Sequence, residues 1–285
     1  MWTRGSGTSD SVEQVARTRK NGVWPSGLLL VVAVMLCALL APILGPHSPM
    51  EQTLAEGLKG PSLTHPFGQD RLGRDLLSRT LYGARISFWV ATVAVSISLG
   101  IGLVVGAAAG HFGGWVDELL MRLVDILQAF PGILLAIAFA AILGPSITNV
   151  VIALSLIGWV GYARLTRGQI LVVREMEFVT AARALGSRDV GVILRHLLPN
   201  ILDPIVVEAS FGFASVIVAE ASLSFLGLGT QPPTPSWGAM LDEARQYLLV
   251  APHLTLFPGL AIVVTVMGFN FLGDGLRDLW DQRSG

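Results

Sequence analysis

Charge is what this chain has least of. Only 14% of its 285 residues are Asp, Glu, Lys or Arg, against about a quarter in a soluble domain. A single cysteine, Cys37, lies inside an apolar run, so no internal disulfide can form. There are two lysines, Lys20 and Lys59, followed by Asn21 and Gly60. Neither completes the G-x-x-x-x-G-K-[ST] loop that cradles phosphates, and no G-x-S-x-G or H-E-x-x-H occurs. The five histidines (His47, His65, His111, His196, His253) are scattered without metal-ligand spacing. No nucleotide-hydrolysing, acyl-transfer or metal chemistry is expected of this chain, so it reads as non-catalytic, with no resident cofactor or metal.

What is present is apolar. Hydrophobic residues make up 52%, gathered into runs near 24–44, 86–110, 121–143, 148–170, 204–223 and 254–273. A bilayer span takes roughly 17–25 helical residues. The runs lack period-2 alternation, and backbone in hydrocarbon must bond within its own segment, so six transmembrane helices are expected and no strands. The first run follows a basic leader at 1–23, as a signal peptide would. It is long and lacks an A-x-A-like cleavage site, which favours an uncleaved first helix. With the N-terminus inside, thirteen of the nineteen basic residues fall on inside segments. Both termini, the tail 274–285 included, and the loop 171–203 are therefore expected in the cytoplasm.

Three polar segments stand out. The outside loop 45–85 begins with Pro46, Pro49, Gly57, Gly60 and Pro61. From Leu72, Leu76, Leu77 and Leu81 recur at helical spacing, which reads as a short amphipathic helix on the membrane surface or a docking surface for an external protein. In the second outside loop, Pro232, Pro233 and Pro235 are expected to stop the fifth helix and Ser236 to cap the next. There Trp237 and Tyr247 would anchor at headgroup level, with Asp242 and Glu243 facing away.

The inside loop 177–200, EFVTAARALGSRDVGVILRHLLPN, differs in kind. Residues 177–185 favour a helix. Gly186 breaks it by supplying a positive φ. A second short helix follows, with Val190, Ile193, Leu194 and Leu197 along one face and Pro199 ending it. Two amphipathic helices joined by a glycine hinge are unusual in a merely solvated loop.

Charges inside the spans are few. Glu208 and Glu220 lie in the fifth run, about 18 Å apart along a helix. Glu220 is a candidate for the substrate path or a gate, or for a buried hydrogen bond. Arg122 and Asp125 read as an ion pair. Pro131 is expected to kink the third helix, as a gate would need. Gly102, Gly106 and Gly110 form a small-xxx-small ladder, packing within this chain or against a second one.

The segment TAARALG, with Leu198-Pro199 closing thirteen residues after Gly186, resembles the EAA loop of ATP-binding-cassette importer permeases. Thr180 stands where that pattern has Glu, and His196 where it has Ile. HPFGQDRLGRD (65–75), MRLVDILQAFP (121–131), SFLGLG (224–229) and FNFLGDGLRD (269–278) are similar to the dipeptide, oligopeptide and nickel branch.

The resemblance implies an all-α type I importer permease in a bacterial inner membrane, with a core at 86–273. It implies a coupling helix docking on a cytoplasmic ATPase through Ala181, Ala182 and Gly186, with Thr180 and Pro199 on the motif. Glu177 and Arg183 would add rim contacts. Implied partners are a second homologous permease chain, two ATPase subunits that carry ATP and Mg, an extracytoplasmic substrate-binding protein and the lipid bilayer, but no nucleic acid. Peptides are the expected cargo, with nickel or another small solute as alternative. An ion-coupled carrier using Glu208 and Glu220, or a purely structural membrane subunit, are readings from other classes.

Overall fold

The computed structural model describes residues 23–281, which omits all but the last residue of the basic leader. Helices dominate, and among the described residues the only β pairing is one isolated bridge, Gln69 with Asp75. Helix α1 spans Val23–Leu39 and runs into a single turn, Ala41–Leu44. Helix α2 is Leu76–Phe112, α3 Gly114–Gln128, α4 Gly132–Leu143 and α5 Ile147–Val173. Helix α6 is Glu177–Ala184, α7 Leu202–Phe225, α8 Trp237–Ala244 and α9 His253–Asp281. Four stretches are long and apolar enough to cross a membrane: α2, α5, Asp189–Phe225 and α9. The α3–α4 pair makes a fifth if counted as one broken span. Helix α1, at 17 residues, is the short one.

The glycine ladder sets the centre of the bundle. A Cβ at Gly102 would strike Tyr162, one at Gly106 would strike Ala163 and Thr166, and one at Gly110 would strike Ile170. The ladder therefore packs within this chain, against α5. Without a hydrophobic drive between helices in lipid, such close backbone approach is a main source of cohesion. Both residue series ascend together, so α2 and α5 run parallel, and α3–α4 carries the chain back between them. Gly27 packs on Leu272, and Gly275 on Trp24, so α1 and α9 are antiparallel. The start of α1 and the end of α9 thus share one end of the bundle. A core cluster of Val31, Phe88, Ile217, Trp237 and Phe269 joins α1, α2, α7, α8 and α9.

The structure revises several expectations. The amphipathic stretch from Leu76 is no separate surface helix; it is the opening of α2, capped by Asp75, whose carboxylate accepts the Ser78 N–H at 2.7 Å. Pro131 does not kink a continuous helix. It stands at the head of α4, and α3 and α4 meet at an 83° bend. Arg122 pairs weakly with Glu118 at 3.9 Å, while Asp125 takes Arg164 at 2.5 Å. Helix α7 ends at Phe225, ahead of the prolines. Ser236 does cap α8, accepting the Ala239 N–H. Trp237 is buried rather than at a membrane surface, and its indole N–H donates to the Thr80 carbonyl at 2.9 Å. Helix α9 continues through 274–281, where a separate tail was expected.

Candidate functional site

Helix α6 and its flanks show why the 177–200 loop is ordered. Glu177 sits in the first turn and Arg183 in the last, each matching the helix dipole. The chain leaves α6 through a Schellman turn. Gly186 N–H bonds the Arg183 carbonyl at 2.9 Å, Ser187 N–H bonds the Ala182 carbonyl at 3.1 Å, and Gly186 adopts φ +84°. Two side-chain contacts tie the loop to the end of α2. Arg174 donates to the Gly110 carbonyl at 2.8 Å, and His111 Nε2 meets Asp189 Oδ1 at 2.9 Å.

The inner face of α6 is short. Val179 packs inward with Ala107, Ile170, Val173 and Leu197, and Ala182 is buried as well. Ala182 is only 7% exposed, whereas its neighbour Ala181 is exposed. Glu177, Phe178, Thr180, Ala181, Arg183, Ala184 and Gly186 are exposed, and Leu185 stands 88% exposed at the tip. After Gly186, the buried residues are Val192, Leu197 and Ile201; Val190 and Leu194, expected on the same apolar face, are largely exposed. Pro199 does not end the second helix. Asp189–Val192 passes through a π-helical stretch, Ile193–Leu197, and a 3₁₀ stretch, Leu198–Ile201, straight into α7. Proline lacks an N–H, and the wound-out register is how the helix absorbs it. Asn200 Nδ2 covers the His196 carbonyl at 2.7 Å.

Two clefts flank α7. One, of about 510 Å³, lies near the loop and is lined by Asn200, Asp203, Glu208, Phe211, Arg277 and Trp280, among others. The other, of about 410 Å³, opens between α4, α7 and α9 and includes Ile133, Ser215, Ser222 and Asn270. Glu208 is exposed on the first cleft. Glu220 is not exposed: at 1% exposure its carboxylate accepts Ser87 Oγ at 3.0 Å and Ser224 Oγ at 2.8 Å. The two acids thus have different situations, one facing a cleft and one joining α7 to α2.

Residues 102–285 match the model of a family described as the inner membrane component of binding-protein-dependent transport systems. The chain belongs to that family. It is 44% identical over 271 residues to the dipeptide transport system permease protein DppC of Alkalihalophilus pseudofirmus, covering 95% of this chain and 89% of that one. It is 47% identical over 268 residues to the glutathione transport system permease protein GsiD of Shigella dysenteriae, covering 94% and 88%. In fold it is similar to a chain of the MetNI methionine ABC transporter solved in inward-facing conformations. That match has a TM-score of 0.55 at 19% identity, covering 68% of this chain and 93% of that one. The permease is therefore an integral inner-membrane transport subunit, of a family that works with an ATPase and a substrate-binding protein.

Sequence reasoning missed the charge network at the far end of this permease. Arg74 bonds Asp70 at 2.5 Å and Glu243 at 2.6 Å, and Arg79 lies 3.3 Å from Asp70 and 3.7 Å from Glu243. Both arginines are 2% exposed. Glu243 thus faces inward, against expectation. The only sequence signal was the density of Asp and Arg in 70–79, which helical spacing spread over several faces. Nearby, Lys59 and then Gln69 hold the Glu56 carboxyl below its ordinary pKa by hydrogen bonding.

Proposed function

We propose that this permease is the membrane subunit of an ATP-driven importer of short peptides, and that α6 is the helix through which a cytoplasmic ATPase moves it. The observation that carries the reading is the construction of 177–200. A short helix with exposed Thr180, Ala181 and Ala184 offers a surface that a partner can approach closely. Beyond the Gly186 turn, the chain from Asp189 runs without a break into α7, which flanks both clefts. A push on α6 therefore reaches the wall of a pathway through one tight, hydrogen-bonded turn and then helix, rather than through a slack loop.

In this account Ala181 and Gly186 make the contact, Glu177 and Arg183 sit at its rim, and Ala182 anchors α6 from beneath. Pro199 marks the irregular joint between α6 and α7. Glu208 faces the pathway near the ATPase side. Glu220 holds α7 to α2, and Pro131 sets the bend through which α4 borders the second cleft. Hydrolysis and its ATP and Mg belong to the partner subunits. The chain crosses the membrane six times, with α1 as the short first span and α3–α4 as a broken third. Both termini and α6 face the cytoplasm, in line with the distribution of arginine. A second, homologous permease chain completes the pathway, with two ATPases and one external binding protein. The peptide cargo rests on the relatives, one named for dipeptides and one for glutathione, itself a short peptide.

Reconstitution with its partners tests the reading. Uptake of a labelled di- or tripeptide should require ATP and persist after ion gradients are collapsed. Uptake that follows an ion gradient without nucleotide would replace this account with an ion-coupled carrier.

A further inference from the structure

We propose that His47, His65 and Asp75 form a binding site for one divalent first-row transition cation, with zinc the best match. The three come from separate places: the segment after α1, the turn-rich loop, and the N-cap of α2. Each offers one ligand atom, and all three atoms lie within 4.8 Å of one another. His65 Nδ1 is 2.9 Å and His47 Nδ1 3.9 Å from the same oxygen, Asp75 Oδ1. Ligand atoms arranged tetrahedrally at the usual zinc bond lengths stand about 3.4 Å apart. The observed spacings bracket that value.

A hydrogen-bonded cap accounts for only part of this arrangement. One imidazole N–H suffices for Asp75 Oδ1, and His65 already supplies it. His47 is nevertheless stacked on His65, with ring centroids 4.4 Å apart and its own Nδ1 turned toward the same oxygen. Two basic nitrogens converging on one carboxylate oxygen are satisfied together by a cation between them.

Asp75 is also held from behind, as metal ligands usually are. Asp75 Oδ2 accepts the Ser78 N–H at 2.7 Å, which leaves Oδ1 free to point at the histidines. The backbone N–H of His47 donates to Ser78 Oγ, and that of His65 to Ser62 Oγ, which fixes the two backbones rather than the rings. The site opens onto a cleft of about 180 Å³ that also includes Glu51 and Glu56, leaving room for a water or a carboxylate as a further ligand. Two imidazoles favour zinc-class ions over magnesium or calcium, which prefer all-oxygen sets. A bound ion would staple the loop 47–65 to the head of α2.

The test uses the full-length chain purified in detergent without a polyhistidine tag, stripped with a chelator and titrated with Zn²⁺, and with Co²⁺ for its visible absorption. One saturable site per chain is expected, with Co²⁺ bands of low-coordinate nitrogen–oxygen ligation and no competition from excess Mg²⁺ or Ca²⁺. His47 is exposed, so His47→Gln should leave the fold and the melting temperature of the metal-free chain unchanged. It should weaken binding about 10-fold or more, since even outer-shell partners of a metal are worth that much. His65→Gln should weaken binding by a similar factor. Absence of saturable binding, or affinity in both variants equal to that of the unsubstituted chain, would overturn the proposal.

Discussion

The two polar ends of this permease spend their charges in opposite ways. At the far end, Asp70, Arg74, Arg79 and Glu243 close on one another, and the arginines are shut away from solvent. At the other end, Glu177, Arg183 and Arg188 stand exposed, with Leu185, Val190 and Leu194 beside them. Buried charges are tolerable only when paired and hydrogen-bonded. Exposed apolar side chains clustered on a polar loop are characteristic of a surface meant to be covered. At the first end the buried charges find their partners within the chain. At the second, those exposed charges lack such partners among the described residues, and in the proposed account an ATPase covers them.

Substitutions that break this contrast should rank accordingly. Arg74→Ala leaves Asp70 and Glu243 without their main partner and should destabilise the chain by about 3–5 kcal/mol, read as a lowered thermal transition in detergent. Gly106→Leu forces a side chain into the α5 backbone and should cost about 1–3 kcal/mol by overpacking. Gly100→Leu, with nothing near its Cβ, should stay within about 0.5 kcal/mol on the same assay. Asp189→Ala removes the contact to His111, but the carboxylate is 68% exposed, so the loss should not exceed about 1 kcal/mol. Arg183→Ala should shift stability by no more than about 0.5 kcal/mol while lowering ATP-driven uptake. A melting loss at Arg183 as large as that at Arg74 would erase the distinction between the two ends.

Four of the six expected spans were legible as single long helices because length and hydropathy are local properties. So was the break at Gly186, since a Schellman turn needs a residue at ease with φ +84°. The ladder at Gly102, Gly106 and Gly110 announced a close crossing, though only the folded chain revealed α5 as the partner. What stayed hidden depends on distant pairing. Arg74 and Glu243 are 169 residues apart, and no periodicity connects them. His47 and His65 looked unrelated because the turn between them folds back on the head of α2. The burial of Ala182 stayed hidden because helical spacing gives two small residues in succession but not which of them faces the protein. Pro199 was read as a stop because a π-helical detour around a proline leaves no mark in the sequence.

The central claim is that the outward face of α6 is where the ATPase docks. Site-directed cross-linking tests it directly. In a Cys37→Ser background, which removes the only native thiol, a cysteine at Ala181 should cross-link to the ATPase subunit in the assembled transporter and abolish uptake while hydrolysis continues. A cysteine at Val179, buried beneath the same helix, should do neither. Equal behaviour at the two positions, or full uptake with Ala181 cross-linked, would contradict the account.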